Sequence, residues 1–541
     1  MKKWTILLVL LLAVSAVLGA CSSKNAESGD TNGEGKRSDK QELTLNLKTE
    51  PPSLDPGLST DTTSAWVLDH VFEGLYTTDK DGNPVLGVAE KVDVSDDGTV
   101  YTFTIRDDAN WTDGTPVTAS DFEYAWKRVL NPDTGSRFAF YLYYVKGAEE
   151  YNMGEGTVED VGVEAVGEKE LKVTLDAPLG YFDKLLTMWT YYPVKQEIVE
   201  GNKDWATDPK TYISNGPFKM TKWAHDSEIV IEKNEDYYDA SVVNLNKVTF
   251  KMVNEATTFY QMYKTGELDL ISSLPTDVLE AEQNNEDYSV VPRYGTYMYI
   301  FNVRKEPFTN EKVRRAFSLS VDRDLVVNTI NKAGEIPAFG MVPPGVSTPE
   351  GDFREVGGEY FKEDAEEAKR LLEEGMKEEG WDTLPEIELL YTTSEGNKKI
   401  AEVVQEMLNK NLGVQIKLVN QESKTQLANV NQGNFQMARM GWVGTFVDPI
   451  INLEYFLGGS PNNRTGWVNE EYDSLLAQSR IEQDDSKRYE LLHKAEEVLM
   501  EDMPFIPMYF NSTTYLTSPS LKNVAYYVNR QPFLKWVEKV E

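Results

Sequence analysis

The residues that carry most protein chemistry are scarce in this sequence. Its one cysteine, Cys21, leaves no internal disulfide, no thiolate zinc site and no iron–sulfur cluster. Its three histidines, His70, His225 and His493, are far apart in the chain and leave little for an imidazole metal site or proton relay. No G-x-S-x-G elbow and no H-E-x-x-H pair occur. Gly35-Lys36-Arg37 lacks both the leading Gly and the trailing Ser or Thr of a P-loop. Asp79-Lys80-Asp81-Gly82-Asn83 faintly resembles a calcium loop, but its Asp-Gly pair reads as a hairpin tip. The 89 acidic residues leave a converging carboxylate pair open, because sequence does not say which acids meet. A secreted polysaccharide hydrolase is therefore one class that composition permits. Lys+Arg 54 minus Asp+Glu 89 gives −35, a sign that repels phosphate backbones and argues against nucleic acid as a partner. No cofactor and no metal are implied. Aromatic side chains are the surplus, with 28 Tyr, 21 Phe and 11 Trp, and they suit core and ligand contact equally.

The place of the cysteine says more than its number. Lys2 and Lys3 precede an apolar run from Trp4 to Val17, interrupted only by Thr5 and Ser15. Such a run is too short to cross a ~30 Å hydrocarbon core, and it has the charged start and apolar middle of a secretory signal peptide. It ends in Leu18-Gly19-Ala20-Cys21, which resembles the bacterial lipobox, where the cysteine is lipidated after cleavage just before it. The alternative is an ordinary signal peptide with an incidental cysteine. The expected organisation is a signal peptide over 1–20, lipid attachment at Cys21, and a flexible tether over 21–41. Ser22 to Lys40 is Ser, Gly, Asn, Glu and Lys with almost nothing apolar, as a tether requires. Removing Lys2 and Lys3 takes −35 to −37 for the mature chain. No other apolar run of 18 residues occurs, so the body is expected on the outer face of the cell membrane, held by lipid.

These positions need elements to hold them. At roughly 150 residues per domain, a chain of 541 residues suggests three to four domains or one large fold with insertions. Glu42 to Lys48 alternates, with Leu43, Leu45 and Leu47 on one face, and Val100 to Arg106 alternates with 101, 103 and 105 together; both predict strands. Asp81-Gly82, Asp97-Gly98 and Asp113-Gly114 mark hairpin turns. Helical spacing appears over Lys398 to Asn411, stopped by Gly413 and followed by a strand through Val414, Ile416 and Leu418. Two more helices are expected over Glu363 to Lys377 and Arg488 to Met500, the latter followed by Pro504 and a strand over Pro507 to Phe510. Helix–turn–strand units of this kind argue for mixed α/β layers.

Five ordered stretches carry a resemblance. They are Phe72-Glu73-Gly74-Leu75 with Asp81-Gly82, then Trp111 to Trp126, then Ser214-Asn215-Gly216-Pro217-Phe218 with Glu232-Lys233-Asn234 and Tyr237-Tyr238. Pro307-Phe308 through Val313-Arg314-Arg315-Ala316-Phe317 to Val321-Asp322-Arg323 follows, and Gly441-Trp442 with Asp448-Pro449 is last. Together, spanning about 42 to 541, they resemble the bacterial extracellular solute-binding proteins that feed oligopeptides to ABC importers. Each also has a plain structural reading. Thr118 or Ser120 caps a helix in which Phe122 and Trp126 share a core face. Val313 to Val327 is an amphipathic helix region in which Arg314 and Arg315 are surface or ion-paired residues.

The resemblance implies an α/β, two-lobed hinged periplasmic-binding-protein-like fold with an extra inserted domain. Carried over, the first lobe is 42–72, 194–294 and 512–541, the extra domain 73–193, and the second lobe 295–511, with crossings near Tyr294 and Asn511. It implies oligopeptides and ABC importer permease subunits as partners, a monomer, and no bond-making step. A peptide would be gripped by its main chain, which is alike in every sequence, with hydrated pockets for its side chains. The segment Gly441, Trp442, Val443, Gly444 lines the implied cleft, with Trp442 the first candidate for a ligand aromatic and a core Trp the alternative.

Where the family usually has an aspartate for the peptide's ammonium group, this sequence has Thr445. Three sources of countercharge stay open: Asp448, another acid such as Asp61, or a ligand whose amine lies elsewhere. The resemblance also carries over Arg439 toward a short peptide's carboxylate, Phe138 as an aromatic of the extra domain, and Thr62 and Ser272 as first-lobe contacts. A dedicated receptor for a signalling or pheromone peptide, of the same fold, is the second binding-class reading.

Overall fold

The computed structural model describes residues 36–460 and 462–541. The expected signal peptide, Cys21 and the tether as far as residue 35 lie outside the described residues. Residues 36–38 and 540–541 make a small unit, in which Arg37 bridges Val540 antiparallel and Lys36 pairs with Glu541 at 3.4 Å. Residues 39–539 form the other unit. Gln41, the last residue of the expected tether, is buried in it. Its side chain donates to the Lys539 carbonyl at 2.8 Å and accepts from the Lys539 amide at 3.0 Å. The ordered body thus starts ahead of residue 42. Among the described residues, no helix is long and apolar enough to cross a membrane.

The larger unit is mixed α/β, built on an 11-stranded sheet. In spatial order the strands are Ile416–Gln421, Ile387–Thr392, Met437–Val443, Tyr288–Phe301, Phe505–Thr517, Leu270–Ser272, Glu42–Asn46, Lys247–Lys251, Glu228–Lys233 and Phe218–Ala224. Ile336–Pro337 pairs with Phe505–Thr517 off this path. Leu43, Leu45 and Leu47 point into the core as their alternation predicts. A separate four-stranded sheet, in the order Ala89–Val94, Val100–Ile105, Glu170–Thr174 and Val163–Ala165, lies within the segment 73–193.

Two strands are much longer than the ~5–6 residues usual in globular proteins: Tyr288–Phe301 and Phe505–Thr517, paired antiparallel. Pro292 faces Ser512 and Thr296 faces Phe510, so Arg293, Tyr294 and Gly295 stand opposite Asn511 alone. This is a bulge, a place where a ladder bends. Gly295 is needed there: a Cβ would stand 2.8 Å from the Trp442 carbonyl oxygen and 2.9 Å from the Asn511 amide.

Local signals placed most helices. Thr118 and Asp121 form a capping box at Ala119–Leu130, and Phe122 and Trp126 are core residues. Gly413, at φ +70°, ends the helix Glu395–Leu412. Other bounds shift: Asp364 caps Ala365–Glu379, and the helix expected from Arg488 begins at Asp485 and runs to Asp502. Val313 to Val327 is not one helix. Glu311–Leu319 ends, Asp322 caps a new start, and the chain widens into a π turn over Val326–Asn331. Arg314 is corrected as well, whereas Arg315 stays partly exposed. Arg314 is buried and donates to the carbonyls of Phe308 and Asp502, and Arg315 donates to that of Glu501. Both side chains satisfy backbone oxygens at helix and loop ends.

Candidate functional site

The strand Met437–Val443 brings the candidate segment to the middle of the sheet. One edge is fully paired: Gly441 faces Tyr297, Trp442 faces Thr296 and Val443 faces Gly295. Among the described residues, its other edge pairs only through Met437 and Ala438, with Leu389 and Leu390. Arg439 onward therefore has no strand neighbour on that side. The Gly444 amide donates to the Tyr294 carbonyl at 2.8 Å. Antiparallel alternation then turns the amides and carbonyls of Gly441 and Val443 toward the open edge. Gln426 already donates to the Arg439 carbonyl from that side at 2.8 Å.

Glycine is required at 444, where a Cβ would come within 2.6 Å of the Tyr294 ring. Trp442 is half-buried. Its indole N–H donates to the Ile451 carbonyl at 2.9 Å and its ring meets Tyr455 edge-on at 5.3 Å. The Arg439 guanidinium lies 4.5 Å from the centre of the Tyr297 ring, and Tyr297 stacks on Tyr509.

Thr445 is engaged by residues remote in sequence. Its hydroxyl lies 2.9 Å from the Tyr141 hydroxyl, and its carbonyl accepts from the Asn529 amide at 3.3 Å. Burial raises the Tyr141 pKa, and the contact with Thr445 offsets this only in part. Phe138 packs edge-on against Tyr141 at 5.2 Å and leans on Trp189, whose N–H donates to the Ser59 carbonyl. Phe138 and Thr445 thus meet through Tyr141. Thr62 opens the helix Thr62–Val71 and is exposed, while Ser272 closes the strand Leu270–Ser272 and is buried. Neither is joined to this cluster by a side-chain hydrogen bond or ring contact among the described residues.

The two acids considered as countercharges are both occupied. Asp61 caps its helix: Oδ1 accepts from the amides of Thr63 and Ser64, and Oδ2 from the Ser64 hydroxyl. Asp448 is fully buried. Arg488 grips it with two bonds at 2.9 and 2.6 Å, Lys184 adds a third at 2.7 Å, and Oδ1 caps Pro449–Leu453. Burial works to raise the Asp448 pKa, but Arg488 and Lys184 outweigh it and hold the carboxyl well below the usual carboxylate range. As a ligand countercharge Asp448 is therefore corrected. Its oxygens belong to an ion cluster that joins the 73–193 segment to the helix Asp485–Asp502.

Sequence reasoning missed Tyr141, Lys184, Arg488 and Asn529. Only Tyr141 had a local signal, the aromatic run from Phe138 to Tyr144. Next to the cluster a cavity of about 140 Å³ opens between the Asp81–Pro84 turn, Gly345–Ser347, Phe446-Val447 and Tyr526–Arg530. Among the described residues no group of three or more His, Cys, Asp or Glu side chains converges to hold a metal ion.

Residues 83–464 match the family model described as bacterial extracellular solute-binding proteins, family 5 Middle. The chain is 43% identical over 537 residues to the oligopeptide-binding protein OppA of Bacillus subtilis, covering 97% of each chain. It is 40% identical over 539 residues to the dipeptide-binding protein DppE of the same organism, covering 99% of each. The solved structure of Listeria monocytogenes OppA bound to peptide matches with a TM-score of 0.76 at 30% identity, covering 93% of this chain and 100% of that one. The fold is thus the two-lobed α/β fold that the ordered motifs implied. The chain belongs to the bacterial extracellular solute-binding proteins, family 5.

Proposed function

We propose that this protein captures extracellular oligopeptides by their main chain and delivers them to the permease of an ABC importer. The observation that carries this reading is the open strand edge at Gly441 and Val443. An extended peptide laid along it would gain main-chain hydrogen bonds whatever its sequence. Gly441 adds no side chain to obstruct the approach, and Trp442 and Phe138 offer aromatic surface nearby. The relatives named for oligopeptide and dipeptide binding, and the peptide-bound Listeria structure, support the same ligand class.

In this reading the first lobe is 42–72, 194–294 and 512–541, the inserted domain 73–193, and the second lobe 295–511. The bulge opposite Asn511 serves as the hinge. Closure needs a ligand that binds the closed state more tightly than the open one, which contacts from both lobes provide. Peptide-binding roles fall to Arg439, Gly441, Trp442, Val443, Gly444, Thr445, Phe138, Thr62 and Ser272. Cys21 carries the lipid, the protein acts as a monomer on the outer membrane face, and it makes or breaks no bond.

Native mass spectrometry of the purified protein tests this. Co-purifying peptides of mixed sequence are expected. One tight peptide species would mean a dedicated signalling receptor, and turnover of a glycan or ester with no bound peptide would overturn both binding readings.

A further inference from the structure

The cavity beside Phe446 and Val447 has a charge pattern opposed to that of the whole protein. The chain carries −35, yet Lys184 and Arg530 line this cavity and Asp81 is the one acid in its wall. The carboxylates that partner the two cations are not in the wall. Asp448 lies 2.7 Å from Lys184 and Asp69 lies 3.7 Å from Arg530, both buried behind them. Each cation is thus part of the cavity wall while its carboxylate is not. Arg293 stands directly behind Arg530. It donates to the carbonyls of Tyr527 and Arg530 at 3.3 and 2.6 Å, and no carboxylate lies within 4.0 Å of it among the described residues. Its charge adds to the same side. Asn83, Asn529 and Thr187 contribute neutral hydrogen-bonding groups.

Size and place narrow what fits. About 140 Å³ is room for four or five waters at ~30 Å³ each, or for one short side chain in their place. The wall residue Phe446 directly follows Thr445, and Asn529 donates to the Thr445 carbonyl. A peptide lying along the open edge at Gly441 and Val443 would pass the mouth of the cavity. The bulk negative field is screened beyond about 8–10 Å at moderate salt, so the nearby cations decide what enters.

We propose that this cavity is a pocket for the carboxylate of an acidic side chain on the bound peptide. It rests on the reading of the cleft as a peptide site and adds a preference to it. Lys184 and Arg530 supply charge-assisted hydrogen bonds, which are shorter and stronger than neutral ones.

The test is calorimetry with tetrapeptides that differ only by Asp or Asn at each position in turn, each made with a free and an amidated C-terminus. At one position Asp is expected to bind about tenfold tighter than Asn, and amidation should leave that gain intact. Ser347, exposed on the cavity rim, allows charge reversal at a single site. Ser347→Asp should remove the gain, whereas Ser347→Lys should keep or enlarge it. Equal affinities at every position, or the same response from both variants, would overturn the pocket. A gain that vanishes on amidation would assign the cations to the peptide's chain end and overturn the side-chain assignment. If neutral peptides bind while acidic ones gain nothing, only the pocket fails; if no peptide binds, the peptide reading fails and the pocket with it.

Discussion

Thr445 and Asp448 lie three residues apart on one segment, and their surroundings are opposite. Asp448 is sealed among Arg488 and Lys184 and is ionised at all ordinary pH. Thr445 is neutral, half-buried and held by the Tyr141 hydroxyl. Both are polar residues of the same motif, yet the charge serves architecture and the position beside the open strand edge has none. A buried carboxylate is tolerated only when its oxygens are matched. Once matched, it is no longer available to a ligand. An uncharged hydroxyl beside an open strand edge can instead accept or donate to whatever main chain arrives.

The largest effect should come from breaking the charged end. Asp448→Asn leaves Arg488 and Lys184 buried without their countercharge, and urea unfolding should show a loss of ~3–5 kcal/mol. The pH dependence follows from the depressed pKa. A carboxyl lowered in the folded state stabilises fully above its unfolded value, near 4, and loses that contribution as pH falls through the folded value. The gap between wild type and variant should hold from neutral pH to about 4 and close only below it. A gap that closes between pH 7 and 5 would contradict the ion cluster.

Making the neutral end charged gives the next effect. Thr445→Asp should tighten peptides with a free amino terminus by roughly tenfold, in line with ~1.5–3 kcal/mol for a bond to a charged group, and should leave N-acetylated peptides behind. Equal responses of the two peptide forms in calorimetry would show that the amine does not lie at residue 445. The smallest effect belongs to the link across the site. Tyr141→Phe removes one neutral hydrogen bond, worth ~0.5–1.5 kcal/mol, and peptide affinity should weaken by a few-fold with the melting temperature nearly unchanged.

Much of the frame was legible because its causes are local. Leu43, Leu45 and Leu47 alternate because a strand's side chains alternate, and Gly413 stops a helix because it accepts positive φ. Thr118 and Asp121 announce a helix start at a spacing of three. The partners of buried polar groups were not legible. Arg314 looked like a surface or paired cation, and its guanidinium instead serves carbonyls of residues 308 and 502. Asp61 looked free for a ligand and is a helix cap.

The sequence by itself determined the family, the alternating strands, the capped helices and the neutral residue at 445, since each rests on residue type and near spacing. Tertiary structure alone decided which charges cancel and which strand edge stays open. Lys184 reaches Asp448 across 264 positions and Tyr141 reaches Thr445 across 304. Contacts at such separations come from sheet order and packing, and neither is written in any short stretch of chain.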